Sequence, residues 1–222
     1  MNFLILALKK IKMPEVNQVV LTIVIAEFLL ITGWGFLAPV FAVFVTQQIP
    51  GGSVAVVGFV ITIYWVTKSI LQLFVARFID RNHGELDDFY FFLGGMFLNA
   101  IFISLYYFAS EVWHVYLLHF LIAIADAMLV PPFYAIFTRH IDKGKEGFEW
   151  SLYSSFSLGA GSALGGAVGG LIATVAGFRI IFPLVGLFTF ISAVILVFLK
   201  PFILPKVPVD EAPRILLDRK KI

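Results

Sequence analysis

Six long apolar runs, parted by short polar breaks, organise the chain. A membrane-crossing helix needs about 20 mainly apolar residues. Runs at about 19–46, 54–79, 89–108, 112–137, 152–176 and 180–198 meet that length. The pattern predicts an all-α integral membrane protein of six transmembrane helices. Residues 1–16 form an N-terminal segment, 17–200 the membrane domain and 201–222 a tail with mixed charge and several prolines.

Composition points the same way. Hydrophobic residues make up 60% of the 222 and charged residues 14%, with a mean hydropathy of +0.98. A soluble chain averages about 45–50% apolar and about 25% charged. A soluble fold of this size could not hide so much apolar surface, so lipid is the expected solvent. The chain has no Cys, which excludes disulfides, thiolate metal sites and cysteine nucleophiles. Its four His show no metal-ligand spacing, and neither a cofactor nor a nucleic-acid partner is expected.

Charge placement sets an orientation. Fourteen of the sixteen Lys and Arg fall on one side of the six spans: Lys9, Lys10 and Lys12, then Arg77 and Arg81, then Arg139, Lys143 and Lys145, then the tail. Arg179 lies on the other side and Lys68 within the second run. The bias places both termini in the cytoplasm, in a plasma (inner) membrane.

An internal repeat is faintly readable. "FLAPVFAVF" (36–44) aligns with "LVPPFYAIF" (129–137), placing Pro39 over Pro132. The first of these runs leads outward and the fourth inward, so the two three-helix repeats would be inverted, a device of secondary transporters.

Three ionisable residues lie near mid-membrane depth: Glu27, Lys68 and Asp126. Such residues are costly in lipid and mark functional sites. A carboxylate beside a lysine can exchange a proton or hold a charged solute group; the alternative is that Lys68 neutralises one acid structurally. Tyr64, Lys68, Gln72, Ala76 and Asp80 recur every four residues and share a slowly drifting face, which must meet protein or water. His119 shares a face with Asp126 and either relays protons or donates one hydrogen bond. Gly33, Trp34 and Gly35, followed by Pro39, and Pro131-Pro132 allow kinks or close approach. Trp34 and Trp65 either stack on an organic solute or fill the bundle. No triad, nucleophile elbow or Walker lysine is present, so the chain is not expected to be an enzyme.

"GAGSALGGAVGG" (159–170) at first resembles a pyrophosphate-binding turn. That reading needs a preceding strand and a following acid about 20 residues on. A helical start precedes it, and no acid occurs between Glu149 and Asp210. Ser157, Gly161, Gly165 and Gly169 instead form one four-residue ladder, and Ser162, Gly166 and Gly170 a second, suited to close helix contacts.

These residues resemble the N-terminal half of the major facilitator superfamily, over about residues 17–200. "ARFIDRNHG" (76–84) looks like the family's loop 2–3 signature G-x-x-x-D-R-x-G-R-K, with Asp80, Arg81 and Gly84 matching. Ala76 replaces the first glycine, an extra residue precedes Gly84, and the acidic stretch Glu85 to Asp88 stands where the basic pair belongs. Gly161-x-x-x-Gly165-Gly166-x-x-Gly169-Gly170 is similar to the helix 5 signature G-x-x-x-G-P-x-x-G-G of proton antiporters, with Gly166 in place of Pro. "GGLIATVAGFRIIF" (169–182) resembles the family's helix 5–6 junction. The resemblance implies half of a major facilitator fold. Glu27 and Asp126 would face a central cavity, and the second and fifth helices a partner half. It also implies a half-size secondary transporter of a small organic solute, with proton coupling through Glu27, Lys68 and Asp126. Trp34, Tyr64, Trp65, Gln72 and His119 would line the cavity, Asp80, Arg81 and Gly84 the gating loop, and Gly161, Gly165, Gly166, Gly169 and Gly170 a packing or partner face. The partner would be a second copy or another six-helix half. The competing expectations are a non-transporting scaffold or a fragment of a twelve-helix transporter.

Overall fold

The computed structural model describes residues 15–81 and 85–203, all helix and turn. Gly84, Lys9, Lys10, Lys12 and the tail beyond 203 lie outside the described residues.

Helix α1 (Gln18–Leu37) opens on Asn17, whose side chain accepts the Val19 N–H at 2.8 Å. Pro39 ends it, having no N–H and a ring that collides with the carbonyl four residues back. The chain turns at 38–40 and resumes as α2 (Phe41–Gln48), and the two make the first span, Gln18–Gln48. Helix α3 (Val54–Ile79) opens on Ser53, which accepts the Val56 N–H at 3.2 Å. Then come α4 (Leu86–Leu105), extended by a 3-10 turn (Tyr106–Phe108), and α5 (Val112–His140). Helix α6 (Glu146–Leu152) runs through a π-helical stretch (Tyr153–Ala160) into α7 (Gly161–Ala176). Helix α8 (Ile181–Val197) is followed by a 3-10 turn (Lys200–Phe202).

The structure decides the alternatives at the glycines and prolines and moves one boundary. The first span breaks at 38–40 and stays helical through Gly33, Trp34 and Gly35. Pro131 and Pro132 lie inside a continuous α5, because helical neighbours in a bundle hold the chain where a soluble helix would break. The fifth span begins at Glu146, six residues before the apolar run, since its first turn is acidic and amphipathic. Among the described residues, five spans are long and apolar enough to cross a membrane. α8, at 17 residues, sits at the lower limit of about 17–25.

The bundle packs in a fixed order. α3 packs on α5, α5 on α4, α4 on α8, α8 on α1, and α1 on α7 with the π-helical stretch. In spans this reads 2–4–3–6–1–5, with spans 2 and 5 at the ends. The α1–α7 contact is glycine-lined. A methyl at Gly161 would stand 3.1 Å from the Phe28 carbonyl oxygen, and one at Gly35 would stand 2.9 Å from the Gly165 Cα. Methyls at Gly165 and Gly169 would overlap the backbone at Thr32, Gly35 and Phe36. Gly166 and Gly170 face open space. Gly33 sits under Phe188, where a methyl would come within 2.8 Å of its Cβ.

The ends are tied by polar contacts. Gly177, with φ +83°, turns the chain after α7. Arg179 then donates to the Tyr107 and Ala109 carbonyls at 2.8 Å each, joining the 5–6 and 3–4 junctions. On the opposite side, where Arg77, Arg139 and Lys145 lie, Arg139 pairs with Asp88 and stands 3.8 Å from Glu85. His140 lies 3.6 Å from the same Glu85. The acids that replace the basic pair of the loop signature therefore meet a base on α5, and the departure is matched within the chain.

Candidate functional site

Asp126 on α5 is the centre of a polar cluster inside the apolar bundle. Asn99 on α4 donates its amide N–H to Oδ1 at 2.6 Å, and the Tyr64 hydroxyl of α3 donates to Oδ2. One α3 turn further on, Lys68 places Nζ 3.9 Å from Oδ2 and donates to the Tyr64 oxygen at 3.1 Å. The ammonium also lies over the Tyr64 and Trp65 rings, 5.3 and 5.2 Å from their centroids, which adds cation–π attraction. The four-residue spacing of Tyr64 and Lys68 puts both on one α3 face. Both Asp126 oxygens thus accept hydrogen bonds, and its charge has a counter-ion. The Lys68 and Asp126 side chains keep 13% and 15% exposure, so the pair is open to a solute or water.

Glu27 on α1 is a different kind of acid. It is 4% exposed, and its Oε1 has no hydrogen-bond partner. Tyr153, first residue of the π-helical stretch, supplies the neighbouring hydroxyl, and the Asp126 charge is close enough to act on it. No basic side chain pairs with Glu27 among the described residues. Two hydroxyls pin the adjoining backbone: Ser157 donates to the Val24 carbonyl at 2.8 Å and Ser192 to the Ala26 carbonyl at 2.6 Å. The site therefore holds two acids and one base, and the second acid has spare acceptor capacity. π-helical insertions in α-helices are frequent at functional sites, and this one carries the Glu27 partner.

The other residues singled out in the sequence separate into groups. Gln72, Ala76 and Asp80 continue the Tyr64–Lys68 stripe and, with Pro131, Tyr134 and Arg139, line a cavity of about 520 Å³ leading to the Arg139 side. Trp65 is 56% exposed beside Lys68. Trp34 is half-buried, packed where the two core clusters meet. His119 borders the cluster, its ring edge-on to that of Tyr64 at 6.2 Å. It shares a hydrogen bond with the Tyr106 hydroxyl, which also donates to the Val115 carbonyl at 2.9 Å, and its ring lies 4.8 Å from that of Phe41, tilted by 36°. Asp80 and Arg81 are exposed at the end of α3.

Sequence reasoning missed Asn99, Tyr153, Tyr106 and the Arg139–Asp88 pair. Asn99 left a signal, since an amide in the run "LNAIFIS" is costly in lipid without a partner. Tyr153 left none, because its reach to Glu27 depends on how the fifth span packs on the first.

A multi-pass helical bundle with ionisable groups buried between its helices is the class that this fold and site define. The sequence matches the Major Facilitator Superfamily over residues 23–219, and the chain belongs to that family. The fold is similar to the in meso crystal structure of the POT family transporter PepTSo, with a TM-score of 0.72 at 18% identity. That match covers 89% of this chain and 41% of the other, so this chain spans less than half the length of that transporter. No curated protein matches the chain.

Proposed function

We propose that the chain is one six-helix unit of a secondary transporter that carries a small organic solute across the membrane by alternating access, coupled to protons. The observation that carries this is the part-buried Lys68–Asp126 pair beside Glu27, whose Oε1 is unpartnered. A charged group at mid-membrane costs about 2.5–3.5 kcal/mol on insertion scales, and a passive scaffold gains nothing from bearing three. Glu27 and Asp126 take up and release the proton, and Lys68 balances the charge that remains. Tyr64, Trp65 and Gln72 offer the solute a hydroxyl, an aromatic face and an amide on the way to the 520 Å³ cavity.

The packing order supports two inverted repeats. Exchanging spans 1, 2 and 3 for 4, 5 and 6 turns 2–4–3–6–1–5 into its own reverse. The second unit of the transporter meets spans 2 and 5, the two ends of that row. The termini lie in the cytoplasm of an inner membrane, in keeping with the positive-inside bias.

The test is uptake of radiolabelled amino acids, amines and carboxylates by proteoliposomes containing the chain with its natural partners. Saturable uptake of at least one solute is expected, and it is lost in Lys68→Met. Uptake no greater than in empty liposomes across all three classes contradicts the reading.

A further inference from the structure

The charges at mid-membrane do not cancel. Glu27, Asp126 and Lys68 are two acids and one base. Asp126 is the satisfied acid, since Asn99, Tyr64 and Lys68 meet its two oxygens. Glu27 is the remainder. Tyr153 hydrogen-bonds its carboxyl, but the buried Oε1 accepts nothing. Of the elements packed against α1, α7 and α8 have no titratable side chain. The π-helical stretch brings Tyr153, and α5 brings Asp126, with Tyr134 beyond it. Among the described residues no base neutralises Glu27, and a bare charge at this depth is costly. Its carboxyl therefore holds either a proton or a cation that comes from outside the chain.

The way to Glu27 is aromatic. The Tyr153 ring stands 5.1 Å from that of Phe133 and 6.0 Å from that of Trp150, and Trp150 stands 6.2 Å from Tyr134. Exposure falls along this row. Tyr134 is 52% exposed and lines the 520 Å³ cavity, Trp150 and Tyr153 are half-buried, and Glu27 is buried. Aromatic faces attract an organic cation and hold its apolar body.

The groups around the carboxyl narrow the kind of cation. A hard metal ion takes about six to eight oxygens. The described residues hold no cluster of three or more His, Asp or Glu that could supply them. The empty Oε1 adds a second condition, because only an N–H or O–H donor fills it. A protonated amine brings such a donor together with its charge. A quaternary ammonium brings the charge alone and leaves the oxygen buried and unpaired, which is costly.

We propose that Glu27 seats a protonated primary or secondary amine whose apolar or aromatic body lies along Tyr153, Trp150 and Tyr134, and that this amine and a proton occupy the carboxyl in turn. The inference rests on the proposed transport reading and names its solute class. When the amine enters, the carboxyl O–H bond breaks and its proton leaves to water. The ammonium N–H then donates to Oε1. One positive charge replaces another, so the charge of the site is the same before and after. Asp126 stays with Lys68 throughout.

The test is isothermal titration of the full-length chain, purified in detergent with its natural partners. The probe is 2-phenylethylamine, added in two buffers of unlike ionisation enthalpy. Saturable binding is expected, with about one proton released to the buffer per amine bound. The N,N,N-trimethyl analogue binds at least about tenfold more weakly. Uncharged 2-phenylethanol releases no proton. Glu27→Gln loses both the binding and the proton release, whereas Tyr153→Phe weakens binding and keeps the release. The ligand series needs no variant, so it decides even where Glu27→Gln fails to fold. Equal binding of the primary and quaternary amines would show that the aromatic faces act alone, and it overturns the inference. So does the absence of saturable amine binding, or binding that releases no proton or persists unchanged in folded Glu27→Gln. Proteoliposome uptake of a carboxylate alongside any of those results leaves the transport reading standing with another solute class. Amine binding with proton release, but no uptake of any solute, overturns the transport reading alone.

Discussion

Lys68 and Asp126 face each other across the α3–α5 contact, with Nζ 3.9 Å from Oδ2 and the Tyr64 hydroxyl bridging them. The bridge is directional: Lys68 donates to Tyr64, and Tyr64 donates to Asp126. Removing the base leaves a carboxylate with only neutral donors in a low-dielectric setting. Lys68→Met is expected to lower stability by about 3 kcal/mol, the lower end for breaking a buried pair, because both side chains keep some exposure. Lys68→Met with Asp126→Asn recovers most of that loss. Thermal unfolding in detergent, run as a double-mutant cycle, measures the coupling. Additive losses would show that the pair does not interact.

The two glycine ladders of the fifth span predict opposite outcomes from the same chemical change. Gly165→Ala forces a methyl onto the Thr32 and Gly35 backbone and is expected to cost about 1–3 kcal/mol, as overpacking does. Gly166→Ala meets open space within the chain and is expected to be neutral or to gain up to about 1 kcal/mol from helix propensity. The unfolding midpoints of the two variants, compared in detergent that dissociates any partner, decide between them.

Arg139 is the counter-charge for a fully buried Asp88. Arg139→Leu is expected to destabilise by about 2–3 kcal/mol. That is less than the about 3–5 kcal/mol of a wholly buried pair, because the guanidinium is 37% exposed and water reaches it. Asp88→Asn in the same chain reverses most of the loss. Protease resistance of the α4–α5 region reports both.

Lys145 holds the segment before α1, donating to the Glu15 carbonyl at 2.6 Å and to Asp142 at 2.9 Å. The Asp142 hydrogen bond raises its pKa above the ordinary 10.5. The contribution of a base with a raised pKa is complete below its unfolded pKa and lost only as pH climbs through the folded one. Amide exchange at residues 15–17, corrected for intrinsic rates, should therefore stay constant from pH 6 to 9. It should rise in Lys145→Gln at every pH in that range. A rise in the unmodified chain between pH 7 and 9 would show that another group holds the segment.

Much of this fold was legible because lipid imposes one rule, a long apolar run for each crossing. The α3 boundaries, 54–79, match the structure because Ser53 caps the start and the apolar run ends at Asp80. At Gly33, Gly35 and Pro39 the residues allowed a kink or a close approach, and the structure has both: the kink falls at Pro39. The two glycines are close-packed, Gly33 under Phe188 and Gly35 against Gly165. Shared depth marked Lys68, Glu27 and Asp126 as candidates for one site. It did not tell which acid Lys68 would choose, because that depends on α3 packing against α5 rather than α1. His119, on the Asp126 face by periodicity, is drawn aside by Tyr106, whose position depends on the 3-10 turn that ends α4.

The central claim is that the buried acids couple solute movement to protons. The direct measurement is luminal pH in pyranine-loaded proteoliposomes on addition of a transported solute. The account predicts a pH change with the unmodified chain that disappears in both Glu27→Gln and Asp126→Asn while the folded fraction is unchanged. The same pH change in both variants as in the unmodified chain would contradict it.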